Sequence, residues 1–240
     1  MHRMRRTAML TLGIWAAWPV SEAAAELIRP APGRSYPEIV AGLDGSLQYA
    51  YDAASQTGTF HARDTPYLLA SGPTIAAESP VQATADGLRK QTVDLTLDKS
   101  GQLLNSPGNL YELYGTVVAD GHAYTGLLLK GVPTAFGAQG ADPLRNSAAP
   151  TFDVNVKITG GQLAGSFGPD AYLRFMPTSA TTFDGSFGRD FSAIAPSSKL
   201  RARQAPSPFP APEPTALALL LVSGAGVLGL QRLRTGGPNA

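Results

Sequence analysis

From Thr92 to Asp98 the chain alternates without a break, with Val93, Leu95 and Leu97 on one side and Thr92, Asp94, Thr96 and Asp98 on the other. Successive side chains of an extended strand point to opposite faces, so this pattern predicts a strand with one buried face. The same period of two recurs at Leu47, Tyr49 and Tyr51, and again at Phe152, Val154, Val156 and Ile158. Thr57-Gly58 reads as a turn leading to a return strand at 59–62, and Tyr67–Ala70 as a short apolar strand. Asp120-Gly121 is the strongest hairpin signal, joining 111–119 to 124–130. Leu127-Leu128-Leu129 suggests a strand covered on both faces, continuing through a bulge at Gly131-Val132-Pro133. Residues 163–167 and 171–176 read as two more strands, and no window of the body carries a 3.6-residue apolar period. Roughly nine or ten short strands make the expected fold all-β, an antiparallel β-sandwich or irregular barrel.

The two ends are of another kind. His2, Arg3, Arg5 and Arg6 precede an acid-free apolar stretch, 7–20, that carries Trp15 and Trp18. Ala23-Ala24-Ala25 then offers an Ala-x-Ala site, with cleavage expected before Glu26. At the other end Pro212-Glu213-Pro214 precedes an uncharged run, Thr215 to Leu230, and then Arg232 and Arg234. As a helix that run is about 24 Å long, against a bilayer core of about 30 Å, so it spans only with the arginines snorkelling to the interface. Arginines beyond a span hold that end in the cytoplasm. A plain membrane anchor, or a core helix behind a Pro-rich linker, is the alternative.

This order of tripeptide, span and basic residues resembles the PEP-CTERM sorting signal of Gram-negative bacteria. The resemblance implies recognition of Pro212, Glu213 and Pro214 by an exosortase, with Arg232 and Arg234 as the cytoplasmic anchor. It further implies export, transient residence in the inner membrane, removal of the tail, and delivery to the cell surface or exopolysaccharide matrix. Alanine stands before the tripeptide, where valine is frequent, and only two basic residues follow the span. The expected layout is a signal peptide at 1–25, a β-rich exported domain at 26–196 and a Pro/Ser/Ala linker at 197–211. A sorting signal at 212–234, with its span at 215–230, and a tail at 235–240 follow.

Without those ends the charge changes sign. Residues 26–200 hold 12 Lys and Arg against 16 Asp and Glu, a net of −4, with no basic run. That excludes nucleic acid as the expected partner and leaves exopolysaccharide beside the secretion machinery. The chain has no cysteine, so neither a disulfide nor a thiolate site is available.

Candidate chemistry in the body is sparse. His61 lies near Asp64, and His122 near Asp120, but neither pair has metal-ligand spacing. The Gly-Ser-Phe-Gly copies at 165–168 and 185–188 lack the strand-to-helix elbow of a serine hydrolase and read as turns. Asp94 and Asp98 share a strand face about 13 Å apart, too far for a glycosidase pair. Asp184 and Asp190 flank a glycine turn as weak calcium ligands would. Tyr49, Tyr51, Tyr111, Tyr114 and Tyr124 either line a sugar-stacking face or pack in the core, the latter being favoured. No catalytic, metal or cofactor-binding residue is expected. The body reads as a non-enzymatic matrix or surface protein, the alternatives being a carbohydrate-binding module or a polysaccharide-acting hydrolase.

Overall fold

A computed structural model describes residues 26–28, 33, 35–42, 44–119, 121–141, 149–177, 181–194 and 196–203. Its strands are β1 (Glu38–Ala41), β2 (Ser46–Asp52), β3 (Thr57–Asp64), β4 (Pro66–Ala70), β5 (Glu78–Pro80) and β6 (Lys90–Asp98). These are followed by β7 (Leu110–Ala119), β8 (His122–Gln139), β9 (Thr151–Gly160), β10 (Asp170–Pro177), β11 (Phe191–Ile194) and β12 (Pro196–Ala202). All twelve join one antiparallel sheet in the order β11-β2-β3-β6-β7-β8-β9-β10-β12-β1-β4-β5.

The sheet curls because three stretches of chain change partners part-way. β3 pairs with β2 and β6, yet after Thr65 alone the chain continues as β4, between β1 and β5. β1 lies between β12 and β4, whereas β2 lies between β11 and β3. β11 pairs with β2, and β12 lies between β10 and β1. The Gly42 amide donates to the Thr65 carbonyl at 3.1 Å, tying two of these bends together. Past the outermost strand, Gln82 exchanges both backbone hydrogen bonds with Thr116 of β7 at 2.8 Å, so the curl turns back on itself.

The inward faces make the core. On β6 every second residue from Gln91 to Leu97 is buried, and β7 repeats the pattern from Tyr111 to Val117. A cluster of rings fills one region, with Phe152 stacked 5.9 Å from Phe191, 5.0 Å from Phe183 and 5.6 Å from Phe60. Phe183 and Phe187 reach it from the glycine-rich loop between β10 and β11. The two Gly-Ser-Phe-Gly turns therefore share a role, each presenting one buried ring, Phe167 or Phe187.

Several sequence expectations are corrected. Residues 197–202 are not linker but most of β12, paired on both sides. There Ser198, Leu200 and Ala202 face inward and Lys199 and Arg201 do not, an alternation that small polar Ser198 disguises. β1 and β11 are strands that the apolar alternation does not mark. Residues 163–167 are not a strand but hold a one-turn helix, Ala164–Phe167, with Leu163 and Phe167 both buried. The first hairpin turns at 53–56, with Gln56 at φ 54°, and Thr57-Gly58 belongs to β3. Gly58 is there for packing, since a Cβ at this position would strike the Tyr49 ring. β8 runs unbroken for 18 residues, its register slipping at Lys130/Gly131 and between Pro133 and Ala135.

Candidate functional site

The residues that the sequence marks for processing and sorting lie outside the described residues. These are Ala23, Ala25, Pro212, Glu213, Pro214, Arg232 and Arg234, together with the span 215–230. Among the described residues no helix is long and apolar enough to cross a membrane.

The candidates within the body are dispersed. His61 faces outward on β3 and pairs not with Asp64 but with Asp94, directly across on β6, at Nδ1–Oδ1 2.7 Å. His122 begins β8 and is exposed. Asp98 accepts from the Ser100 amide and hydroxyl and from the Gln102 amide, which makes it a turn carboxylate. Asp184 accepts from the Ser186 amide and pairs with Arg189, while Asp190 accepts from the Tyr51 amide at 2.7 Å. No group of three His, Cys, Asp or Glu side chains suited to a metal ion occurs among the described residues. The five tyrosines separate. Tyr49 and Tyr111 are buried, Tyr49 donating to the Phe187 carbonyl, while Tyr51, Tyr114 and Tyr124 are half-buried. Tyr114 faces outward with the Lys90 ammonium 5.2 Å above its ring.

The structure gathers another set, Asp64, Gln91, Tyr111 and Ser198. β3 and β6 place Asp64 and Gln91 as direct cross-strand partners. β7 supplies Tyr111, whose neighbour across the ladder is Val93, two residues along from Gln91. β12 brings Ser198 from the far side of the curl. Gln91 Nε2 donates to Ser198 Oγ at 2.7 Å and to Asp64 Oδ1 at 3.2 Å. The Ser198 hydroxyl donates to Asp64 Oδ2, and the Tyr111 hydroxyl to Gln91 Oε1 at 3.1 Å. All four residues are at most 1% exposed.

Such burial disfavours a charge more than the two donors support it. The Asp64 pKa is accordingly pushed up to about 7, burial outweighing the hydrogen bonds from Ser198 and Gln91. The Tyr111 hydroxyl is raised well above its ordinary value by burial and by the nearby carboxylate. The arrangement is closed to a diffusing ligand but places a hydroxyl, a primary amide and a carboxyl in mutual contact. Strand parity carried a signal for it. Gln91 is in phase with Val93 and Leu95, Asp64 with Phe60 and Ala62, and Ser198 with Leu200, so each is a polar residue at an inward position.

A second buried carboxylate is conventionally paired. Asp153 on β9 accepts two hydrogen bonds from Arg174 on β10, at 2.8 and 3.0 Å, and is fully buried. β9 is therefore covered on both faces here, not on one as its alternation suggests. Residues 26–28 lie against Gly137, the direct partner of Asp153, and a Cβ on that glycine would collide with their backbone. The Asp153 carboxylate in turn holds the guanidinium more firmly protonated.

No family model, no curated protein and no solved structure matches the chain.

Proposed function

We propose that the chain is an exported protein of a Gram-negative bacterium, cut from its tail by an exosortase and delivered to the cell surface or exopolysaccharide matrix. Its body acts there without catalysis. The observation that carries this reading is the order of Pro212-Glu213-Pro214, an uncharged run and an arginine pair at the end of the sequence. The geometry of the body supports it. The segment leading into β1 and the end of β12 meet, where Ser35 Oγ donates to the Ala202 carbonyl at 2.7 Å and the Ala202 amide to the Pro37 carbonyl at 3.0 Å. The last strand ends at Ala202, ten positions before Pro212, so cleavage near the tripeptide leaves every described strand pairing intact. We read the curl as an irregular barrel rather than a sandwich, because the Gln82–Thr116 bridge returns the outermost strand to β7.

A Glu213→Ala variant tests the reading, compared with wild type in a host with and without its exosortase. Wild type is expected to lose its tail and leave the inner membrane only where the exosortase is present, with the variant retained at full length. If both stay full-length in the membrane, the tail is an anchor and the reading fails.

Carbohydrate binding is the second reading, favoured by Tyr114, which lies on the outward face beside Lys90 and Thr92. Retardation of the body in a gel containing the host exopolysaccharide, lost in Tyr114→Ala, is the expected result. Unchanged migration in that gel would dismiss it.

A further inference from the structure

The other polar pairs among the described residues do not combine into a site. Asp153 and Arg174 satisfy each other, and His61 and Asp94 form an exposed pair that no third His, Asp or Glu among the described residues joins. The Asp64 cluster differs in kind. One carboxyl group touches both the Ser198 hydroxyl and the Gln91 side-chain nitrogen. The hydroxyl oxygen is itself 2.7 Å from that nitrogen. On the other side of the amide, the Tyr111 hydroxyl donates to the carbonyl oxygen. Acyl transfer requires a nucleophile, a base in contact with it, a polarised carbonyl and an acid beside the leaving atom. All four are present here, away from water that would compete for the acyl group.

We propose that Ser198 and Gln91 become joined by an intramolecular ester bond, with Asp64 carrying the proton and Tyr111 holding the carbonyl oxygen. Asp64 takes the hydroxyl proton as Ser198 Oγ bonds to Gln91 Cδ. The carbonyl electron pair moves onto Oε1, where the Tyr111 hydroxyl stabilises it. When the carbonyl re-forms, the Cδ–Nε2 bond breaks, the proton on Asp64 passes to that nitrogen, and ammonia leaves. A hydroxyl and a primary amide give an ester and ammonia, with nothing oxidised or reduced. The amide carbon lies one bond beyond the nitrogen that contacts Ser198. A carboxyl group with a pKa of about 7 is matched to proton transfer near neutral pH.

The bond ties β6 to β12 across 107 positions of sequence. Closing so long a loop restricts the unfolded chain as a disulfide would, in a protein without cysteine. The polar cluster thereby does for the curled sheet what its hydrogen bonds alone do weakly.

Peptide mapping of the full chain, recovered from cells that export it, tests the proposal. Trypsin releases Gln91–Lys99 and Asp190–Lys199. The expected product is one linked species, lighter than the two together by one ammonia, that hydroxylamine separates and whose fragmentation places the bond at Ser198. Recovery of the two peptides only as separate species, with Gln91 intact or hydrolysed to glutamate, overturns it. Asp64→Asn keeps the size of the side chain and removes the base, so its two peptides are expected apart in a protein that retains its β circular dichroism. A folded Asp64→Asn protein linked as fully as wild type overturns the role given to Asp64. Tyr111→Phe is expected to fold and to link more slowly, seen as a lower linked fraction in freshly made protein. Equal fractions overturn the role of the phenol.

Discussion

The ring cluster around Phe152 and the polar cluster around Asp64 are enclosed by the same curled sheet and even share a strand. Phe60 and Asp64 both point inward from β3, four residues and about 13 Å apart. One region is held by apolar area and ring packing, which no change of pH touches. The other is held by a few directed bonds around a carboxyl group that, among the described residues, is bonded by the uncharged side chains of Ser198 and Gln91. The first kind of interior tolerates rearrangement at a cost in volume. The second is specified atom by atom and responds to protonation.

The largest effect expected from breaking the aromatic region comes from Phe152→Ala, which should cost about 3–5 kcal/mol in denaturant unfolding, with no dependence on pH. The polar region should answer to pH instead. The folded pKa of Asp64, about 7, lies above its ordinary value of 3.8, so between these values the folded protein keeps a proton that the unfolded chain releases. The stabilisation is complete below about pH 4, is lost as the pH rises towards about 7, and is flat beyond, with an upper bound of about 4 kcal/mol. Ester formation would remove both the Ser198 and the Gln91 donors to Asp64, which lower its pKa, and so leave the direction unchanged. Unfolding curves from pH 4 to 8 should show the decline in wild type, and Asp64→Asn should flatten it. A wild-type curve level across this range would contradict the contrast between the two interiors.

Gly58→Ala sharpens the comparison from the aromatic side, because the added methyl meets the Tyr49 ring in a part of the core with no spare volume. A loss of about 1–3 kcal/mol is expected in thermal or urea unfolding. The smallest effect belongs to the exposed pair of His61 and Asp94. His61→Ala should change stability by less than about 0.5 kcal/mol, showing that a hydrogen-bonded pair at the surface is not equivalent to a carboxyl group in the core.

How much of this was legible follows from the same physics. Period-two alternation identified β6 and β9, and Asp120-Gly121 marked the β7–β8 hairpin, since both signals are local. The bulge in β8 was legible because Gly131 and Pro133 interrupt an otherwise apolar strand. β1, β11 and β12 were missed, being short or rich in Ser, Ala and Pro, and formed by pairing with strands distant in sequence. Glu38 of β1 meets Arg201 of β12 only once the sheet has curled. The polar cluster was missed for a related reason. Asp64, Gln91 and Ser198 each look like a surface residue in its own strand, and only inward parity distinguishes them. The sorting residues, by contrast, were read from a linear motif, which needs no fold to be recognised.

The functional reading rests most heavily on the body being a finished unit that is cut free of its tail. The most direct measurement is the intact mass, with both ends sequenced, of the protein recovered from outside the cells of its native host. A chain that begins at Glu26 and stops short of Thr215 is the predicted result. A chain found only in the inner membrane and extending to Ala240 would contradict it.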